Sequence, residues 1–420
     1  MQANQLAQAI ADAWDEIALA LGDERDAFEV RLTPLLRQLE APGAAEQAEA
    51  VEEILALFRS HPGADAVLRS IWAISTPTKG ISPPPVPPGA RPKKGRYCIV
   101  PVFYGTDRAV VGPLDAPSSY GPDRGELALG VAEVTIPDDH RMGKIERPSL
   151  WKLQFREDPE KHVMVWSLQP TPPDEFTARA KQVLSRGAKK EVLLFVHGYN
   201  VTFADAVMRT AQIAYDLHFE GLPTLYSWPS EGSLPRYAVD ETNVTWSRPR
   251  FASFLNLLRE QLGADTVHII AHSMGNRLVT ETLAAMPAAA ASAAKLRQVV
   301  FTAPDIDAAT FIDLAAAFRG KADRFTLYGS SRDKAILASK AFHRYPRAGE
   351  SGVNLVVVDS VDTIDATAVD TSFLGHSYYG DNRSVVGDIF ELIRRGSSPA
   401  DRFGLTPMKR YGAQYWAFNP

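Results

Sequence analysis

Apolar residues recur at three- and four-residue intervals through the first 75 positions. Leu6, Ile10, Trp14, Ile17 and Leu21 form one stripe, and Leu32, Leu35, Leu36 and Leu39 a second. Val51, Ile54, Leu55 and Phe58 form a third and Val67, Leu68, Ile71 and Trp72 a fourth, with Pro42-Gly43 and His61-Pro62-Gly63 punctuating them. This period lets a helix bury one face, and Pro and Gly interrupt it. The spacing predicts a small bundle of roughly three or four helices over residues 1–75. From Thr76 to Gly95 the chain reads TPTKGISPPPVPPGARPKKG. Repeated proline fixes φ and removes amide donors, which predicts an extended, semi-rigid linker over 76–95.

Beyond the linker the period changes. Short runs rich in β-branched and aromatic residues occur at Tyr97–Tyr104, His162–Leu168, Glu191–Val196, Pro223–Trp228, Thr266–Ala271, Gln298–Thr302, Arg324–Tyr328 and Val353–Val358. From Glu191 onward helical patterns separate most of them. Near-continuous apolar strands with helical crossovers predict an α/β domain over residues 96–420, built on a mostly parallel sheet with helices on both faces. Ligands of such sheets gather at the carboxyl ends of strands, so chemistry is sought just after each run.

Composition and charge narrow the function classes. With 45% hydrophobic and 23% charged residues the chain is of ordinary globular type, which excludes wholesale disorder. Residues 1–75 hold 13 Asp and Glu against 5 Arg and no Lys, a net of −8 within a chain total of −5, so the remainder carries +3. Neither part has the strong basic field of a nucleic-acid binder. The acidic helical head reads either as a stabilising or self-associating cap or as an adaptor for a protein partner, and both readings stay open. No run approaches ~18 consecutive apolar residues, and the first basic residue is Arg25. Neither a transmembrane segment nor a secretory signal is expected, and the expected location is cytoplasmic. The single cysteine, Cys98, excludes an intramolecular disulfide and a thiolate-rich metal site.

Two strand ends carry groups suited to acyl transfer. His197-Gly198-Tyr199-Asn200 follows VLLFV, where Gly198 permits a tight turn that can leave a main-chain N–H facing a cleft. Ala271-His272-Ser273-Met274-Gly275 follows VHII and precedes a helical pattern. A serine on a sharp strand-to-helix turn has a strained backbone and needs small residues two before and two after it, a demand that Ala271 and Gly275 meet. The same turn brings the Met274 N–H and the start of the helix beside the serine, where an oxyanion would develop. No His-Glu-x-x-His motif, cysteine pair or carboxylate cluster points to a metal, and no phosphate-cradling glycine loop is present. Hydrolysis without a cofactor is the expectation.

Residues 96 to about 395 resemble the α/β-hydrolase fold and, more narrowly, DUF900, a bacterial family of uncharacterised hydrolases. The pieces that carry the resemblance are VPVFYGTDR (Val100 to Arg108), GVAEVTIPDDH (Gly130 to His140), FVHGYNVTF (Phe195 to Phe203), YSWPSEG (Tyr226 to Gly232), AHSMGNR (Ala271 to Arg277), APDID (Ala303 to Asp307), SRDKA (Ser331 to Ala335) and LGHSYY (Leu374 to Tyr379). The helical head lies outside it.

The resemblance implies a catalytic Ser, acid and His in that chain order, with Ser273 as nucleophile. His343 and His376 then qualify as base. His376, in a Gly-His-Ser-Tyr turn, matches the family position, whereas His343 lies in a basic helical stretch with Arg344 and Arg347 and is expected to be solvated. Asp333, after the RFTLYGSSR run, is the expected acid. Asp305 is the alternative and Asp307 a further one, and one of that pair is expected to cap the helix before Ala308–Phe318. The amides of Met274 and Tyr199 are the expected oxyanion hole. His197, Gly198, Asn200, His272, Trp228 and Tyr237 are expected around the substrate pocket, with the long excursion Pro229–Phe254 supplying its wall or a lid. The implied activity is that of a carboxylic-ester hydrolase, esterase- or lipase-like, acting on a small-molecule or lipid ester through an acyl-enzyme intermediate. Two other readings stand beside it: a phospholipase-type effector regulated by the head, and a non-catalytic binding or signalling protein that keeps the fold.

Overall fold

The computed structural model describes residues 10, 17–18, 21–38, 44–61, 64, 91–92, 96–113, 116, 118–147, 158–187, 189–231, 237–287, 293–369 and 385–419. The chain divides into two compact units, residues 1–83 with 146–162 and residues 84–145 with 163–420.

In the smaller unit, helices α1 (Arg25–Gln38) and α2 (Ala44–Arg59) pack together. Leu32 and Leu36 of α1 and Val51, Ile54 and Phe58 of α2 are buried with Ile10, Ile17 and Leu21, as their spacing predicts, and Phe28 of α1, outside those stripes, is buried with them. Phe28 meets Phe58 edge to face at 5.1 Å, a favoured aromatic geometry. The stripe from Val67 to Trp72 lies outside the described residues. So does the predicted linker, apart from Arg91 and Pro92.

The larger unit is built on strands β1 (Arg91–Pro92), β2 (Tyr97–Val110), β3 (Tyr120–Pro137), β4 (Met164–Pro170), β5 (Glu191–Val196), β6 (Leu222–Ser227), β7 (Thr266–His272), β8 (Lys295–Thr302), β9 (Arg324–Gly329), β10 (Asp362–Asp365), β11 (Leu405–Arg410) and β12 (Ala413–Phe418). Their order across the sheet is β11-β12-β10-β9-β8-β7-β5-β6-β2-β3-β4, with β1 paired to β2. Every neighbouring pair from β2/β6 through β10/β12 is parallel. The edges are antiparallel: β2, β3 and β4 form a meander, and β11 with β12 a hairpin. Around the sheet lie α3 (Pro173–Arg186), α4 (Phe203–Asp216), α5 (Tyr237–Trp246), α6 (Arg248–Glu260), α7 (Gly275–Ala285), α8 (Ala308–Phe318), α9 (Lys334–His343) and α10 (Val385–Arg395). Among the described residues no helix is long and apolar enough to cross a membrane.

The central strands bury side chains on both faces because successive residues alternate sides. Val192, Leu194 and Val196 of β5 enter one core with α3, α6, α7 and α8, while Leu193 and Phe195 enter a second with α4 and α10. This is why VLLFV is apolar throughout rather than alternating.

Three expectations are revised. Val353–Val358 is not a strand: Gly352–Asn354 forms a 3-10 turn, Gly352 has φ +69° and Val353 is 83% exposed. Leu355 and Val356 reach the core through their side chains alone, and the ladder position beside β9 goes to Asp362–Asp365. The long β3 was not expected. The excursion from Pro229 to Phe254 is largely helical, holding α5 and the start of α6, with residues 232–236 outside the described part.

Candidate active site

Three residues with positive φ stand at the carboxyl ends of adjacent or near-adjacent parallel strands: Asn200 (57°) after β5, Ser273 (49°) after β7 and Ala303 (43°) after β8. Such values are uncommon away from glycine and mark places where the surroundings over-determine the backbone. Ser273 occupies the bend between β7 and α7 and is only 6% exposed. Its amide donates to the Thr302 carbonyl at 3.0 Å, and its carbonyl accepts from the Asp305 amide at 3.2 Å. The Asn276 side chain donates to the carbonyls of both Ser273 (2.9 Å) and Thr302 (3.1 Å), pinning the bend to β8. Gly275 is forced by space. A Cβ there would lie 2.3 Å from the His197 carbonyl oxygen and 2.9 Å from that of Val196.

The loop after β5 faces this bend. A Cβ on Gly198 would come within 2.8 Å of the Ser273 Cβ and 3.1 Å of His272 Nδ1, so the two turns touch. Trp228 is fully buried, stacks on the His197 ring at 5.1 Å and donates its indole N–H to the His197 carbonyl at 2.8 Å. Arg108, from β2, is buried too. It donates to the Val201 carbonyl (2.7 Å), the Ser230 carbonyl (2.9 Å) and Ser227 Oγ (2.8 Å). Burial, and then the adjacent Arg108 charge, hold the His197 pKa well below the usual imidazole value. The Asn200 amide is 3.3 Å from Asp240 Oδ2 and the Val201 amide 3.3 Å from Ser230 Oγ. Among the described residues no acceptor meets the amides of Tyr199 or Met274.

Asp305 lies under the site in a closed network. Its Oδ1 accepts from Arg347 Nε at 2.8 Å and from Ser339 Oγ at 2.5 Å, and its Oδ2 from the Tyr237 hydroxyl at 2.5 Å. Arg277, in the first turn of α7, donates to the Asp305 carbonyl at 2.7 Å and pairs with Glu241 of α5 at 2.6 Å. His343 is not a solvated histidine: its Nε2 is 2.8 Å from the same Glu241 and its Nδ1 is 2.9 Å from the Ser339 carbonyl. Tyr237 packs edge to face on Tyr199 at 5.3 Å. Asp333 follows β9 and caps α9, accepting from the amides of Ala335 (3.0 Å) and Ile336 (3.1 Å). Asp307 is the expected helix cap, accepting from the Thr310 amide at 2.9 Å. Burial, then the charges of Asp305, Asp333 and Asp240, raise the Tyr199 phenol pKa above its ordinary value.

Residues 173–395 match DUF900, described as an α/β hydrolase of unknown function. The chain belongs to this family. The match runs from α3 to the end of α10, so it covers both turns, and membership gives the domain the α/β-hydrolase fold. A stretch of 129 residues is 27% identical to an uncharacterized protein of Nostoc sp. (strain PCC 7120), alr1448, over 24% of this chain and 33% of that one. The match thus spans about a third of the length of that curated relative. A solved structure, esterase B from Lactobacillus rhamnosis with a tributyrin phosphonate, aligns over 55% of this chain and 78% of that one at 13% identity, with a TM-score of 0.26.

The structure thus brings together Ser273, Met274, His272, His197, Gly198, Tyr199, Asn200, Tyr237 and Asp305 at the carboxyl ends of the central strands β5, β7 and β8. Trp228 supports the loop from beneath rather than lining an open surface, because its ring is wholly buried. His376 lies outside the described residues. Sequence reasoning missed Arg108, Ser227, Asn276 and Arg277 as parts of the site. All four sit in the quoted motifs VPVFYGTDR, YSWPSEG and AHSMGNR.

Proposed function

We propose that the protein is a serine hydrolase of carboxylic esters working through an acyl-enzyme. The observation that carries this reading is Ser273 at φ 49° on a strand-to-helix bend, with small residues Ala271 and Gly275 around it. Ser273 Oγ attacks the ester carbonyl while His376 takes its proton. The tetrahedral oxyanion is held by the amides of Met274 and Tyr199. Collapse expels the alcohol, which takes the proton from His376, and the same imidazole then activates water to release the acid.

His376 follows β10 in the chain, where the fold's order of Ser, acid and His puts the base. Asp333 is the acid that orients it. Two features support Asp333 over Asp305: it follows β9, the strand next to β10, and it is only partly buried, whereas Asp305 is buried with both carboxylate oxygens held by Arg347, Ser339 and Tyr237. Cys98 does not compete as a nucleophile, since burial pushes its thiol pKa up to about 11.

A fluorophosphonate probe and a series of short-chain p-nitrophenyl esters test this reading. Wild type should be labelled and active, and Ser273→Ala should lose both. Equal labelling and turnover in that variant would refute it.

A further inference from the structure

The buried polar groups behind the His197 loop form a chain with one direction. Arginine carries only donors. Arg108 Nε is 2.8 Å from Ser227 Oγ, so that hydroxyl accepts and keeps its own proton to give. His197 Nε2 is 3.2 Å from Ser227 Oγ and 3.5 Å from Arg108 Nη2, and two donors facing one ring nitrogen require a lone pair there. The ring proton therefore sits on Nδ1, which is 2.7 Å from the Gly198 carbonyl oxygen, an atom that can only accept. Every link runs the same way, from Arg108 through Ser227 and His197 to the Gly198 carbonyl.

This fixes a peptide plane. Peptide bonds here are trans, so a C=O and the following N–H point to opposite sides. With the Gly198 carbonyl tied to His197, the Tyr199 N–H is turned away from that ring. The next two amides are committed to Asp240 and Ser230, and Gly198 lies against Ser273. We propose that Arg108, Ser227 and His197 are positioning residues that lock the Gly198–Tyr199 peptide with its N–H presented to the oxyanion formed at Ser273. The assignment rests on the acyl-transfer reading above. Arg108 sets the direction because it cannot accept. Its bond to the Val201 carbonyl holds the far end of the same loop, its bond to the Ser230 carbonyl ties it to the segment after β6, and the Trp228 stack holds the imidazole plane.

The test separates orientation from mere packing. In His197→Asn the side-chain amide can place an N–H near the position of Nδ1, whereas His197→Gln places its amide near Nε2. Ser227→Ala removes the middle link and leaves the other Arg108 bonds. On a p-nitrophenyl ester, His197→Gln should lose roughly 10²–10³-fold in kcat with KM little changed, as when an oxyanion donor is displaced. Ser227→Ala should lose about 10-fold and His197→Asn should stay within about 10-fold of wild type. Ring 15N NMR of wild type should find the His197 proton on Nδ1. A proton on Nε2 overturns the proposal, as does a His197→Asn protein that melts like wild type yet is as slow as His197→Gln. Where the His197 variants fail to fold, Ser227→Ala decides alone, and unchanged kcat with an unchanged tautomer counts against the relay. A wild type inert to ester and fluorophosphonate removes the acyl-transfer reading itself. The Nδ1 proton would then mark the relay as support for the fold, and its catalytic assignment would fall with that reading.

Discussion

Gly275 and His197 are locked together by the absence of a side chain: a Cβ on the glycine would stand 2.3 Å from the histidine carbonyl oxygen. The first turn of α7 is thereby drawn against the end of β5, and the Ser273 bend against the His197 loop. Gly275→Ala must push these two backbones apart, since neither contact is a flexible side chain. Overpacking of this kind costs about 1–3 kcal/mol. The expected result is a lower urea midpoint at unchanged m-value, with a loss of ester turnover larger than that of an alanine elsewhere on α7.

The two candidate acids should separate cleanly. Asp305 forms a buried ion pair with Arg347, whose side chains are 2% and 3% exposed. Asp305→Asn breaks one partner of that pair and should cost roughly 3–5 kcal/mol of stability. Asp333→Asn keeps a residue that caps helices well, so it should melt within a few degrees of wild type while kcat falls by about 10³-fold or more. Calorimetry and ester kinetics on the two variants check both halves. An Asp333→Asn protein with full activity transfers the role of acid elsewhere.

Much of this was legible locally and the rest was not, for a consistent reason. Ser273 and Gly275 could be read because the bend imposes its demands within five residues. The strands flanking them could be read because burial on both faces leaves an unbroken apolar run. Arg108 and Ser227 could not, since their roles depend on partners 30 to 122 positions away. His343 looked solvated from its basic neighbours, but Glu241 meets it across 102 positions. Val353–Val358 looked like a strand because apolar residues can be buried without pairing. β3 was missed because glycines and charges interrupt its alternation.

The far end of α7 offers a stability test well away from Ser273. Lys321 Nζ donates to the carbonyls of Leu283 (2.8 Å), Ala284 (2.9 Å) and Met286 (2.8 Å), groups a helix terminus leaves without intrahelical partners. Its charge also complements the negative end of the helix dipole. Lys321→Met keeps most of the apolar stem and deletes the cap. We expect a loss of about 1–2 kcal/mol in denaturant unfolding, with kcat nearly unchanged. A variant as stable as wild type would show that water replaces the ammonium without cost.

His268 should make the fold sensitive to acid. It lies in β7, fully buried, and among the described residues neither ring nitrogen has a hydrogen-bond partner. Burial, then the charges of Arg297 and Lys189, hold its pKa down to about 3. In the unfolded chain the imidazole titrates near 6.5, so between these values the unfolded state binds the extra proton. The stability this group contributes is fully present above the unfolded pKa. It falls as pH drops, by up to about 1.4 kcal/mol per pH unit. His268→Leu removes the titration while keeping an apolar side chain of similar size. In urea unfolding between pH 4 and 6 its stability should fall less steeply than that of wild type, by roughly one proton's worth of slope. Parallel curves for the two proteins would mean that His268 stays neutral in both states or gains a partner on folding.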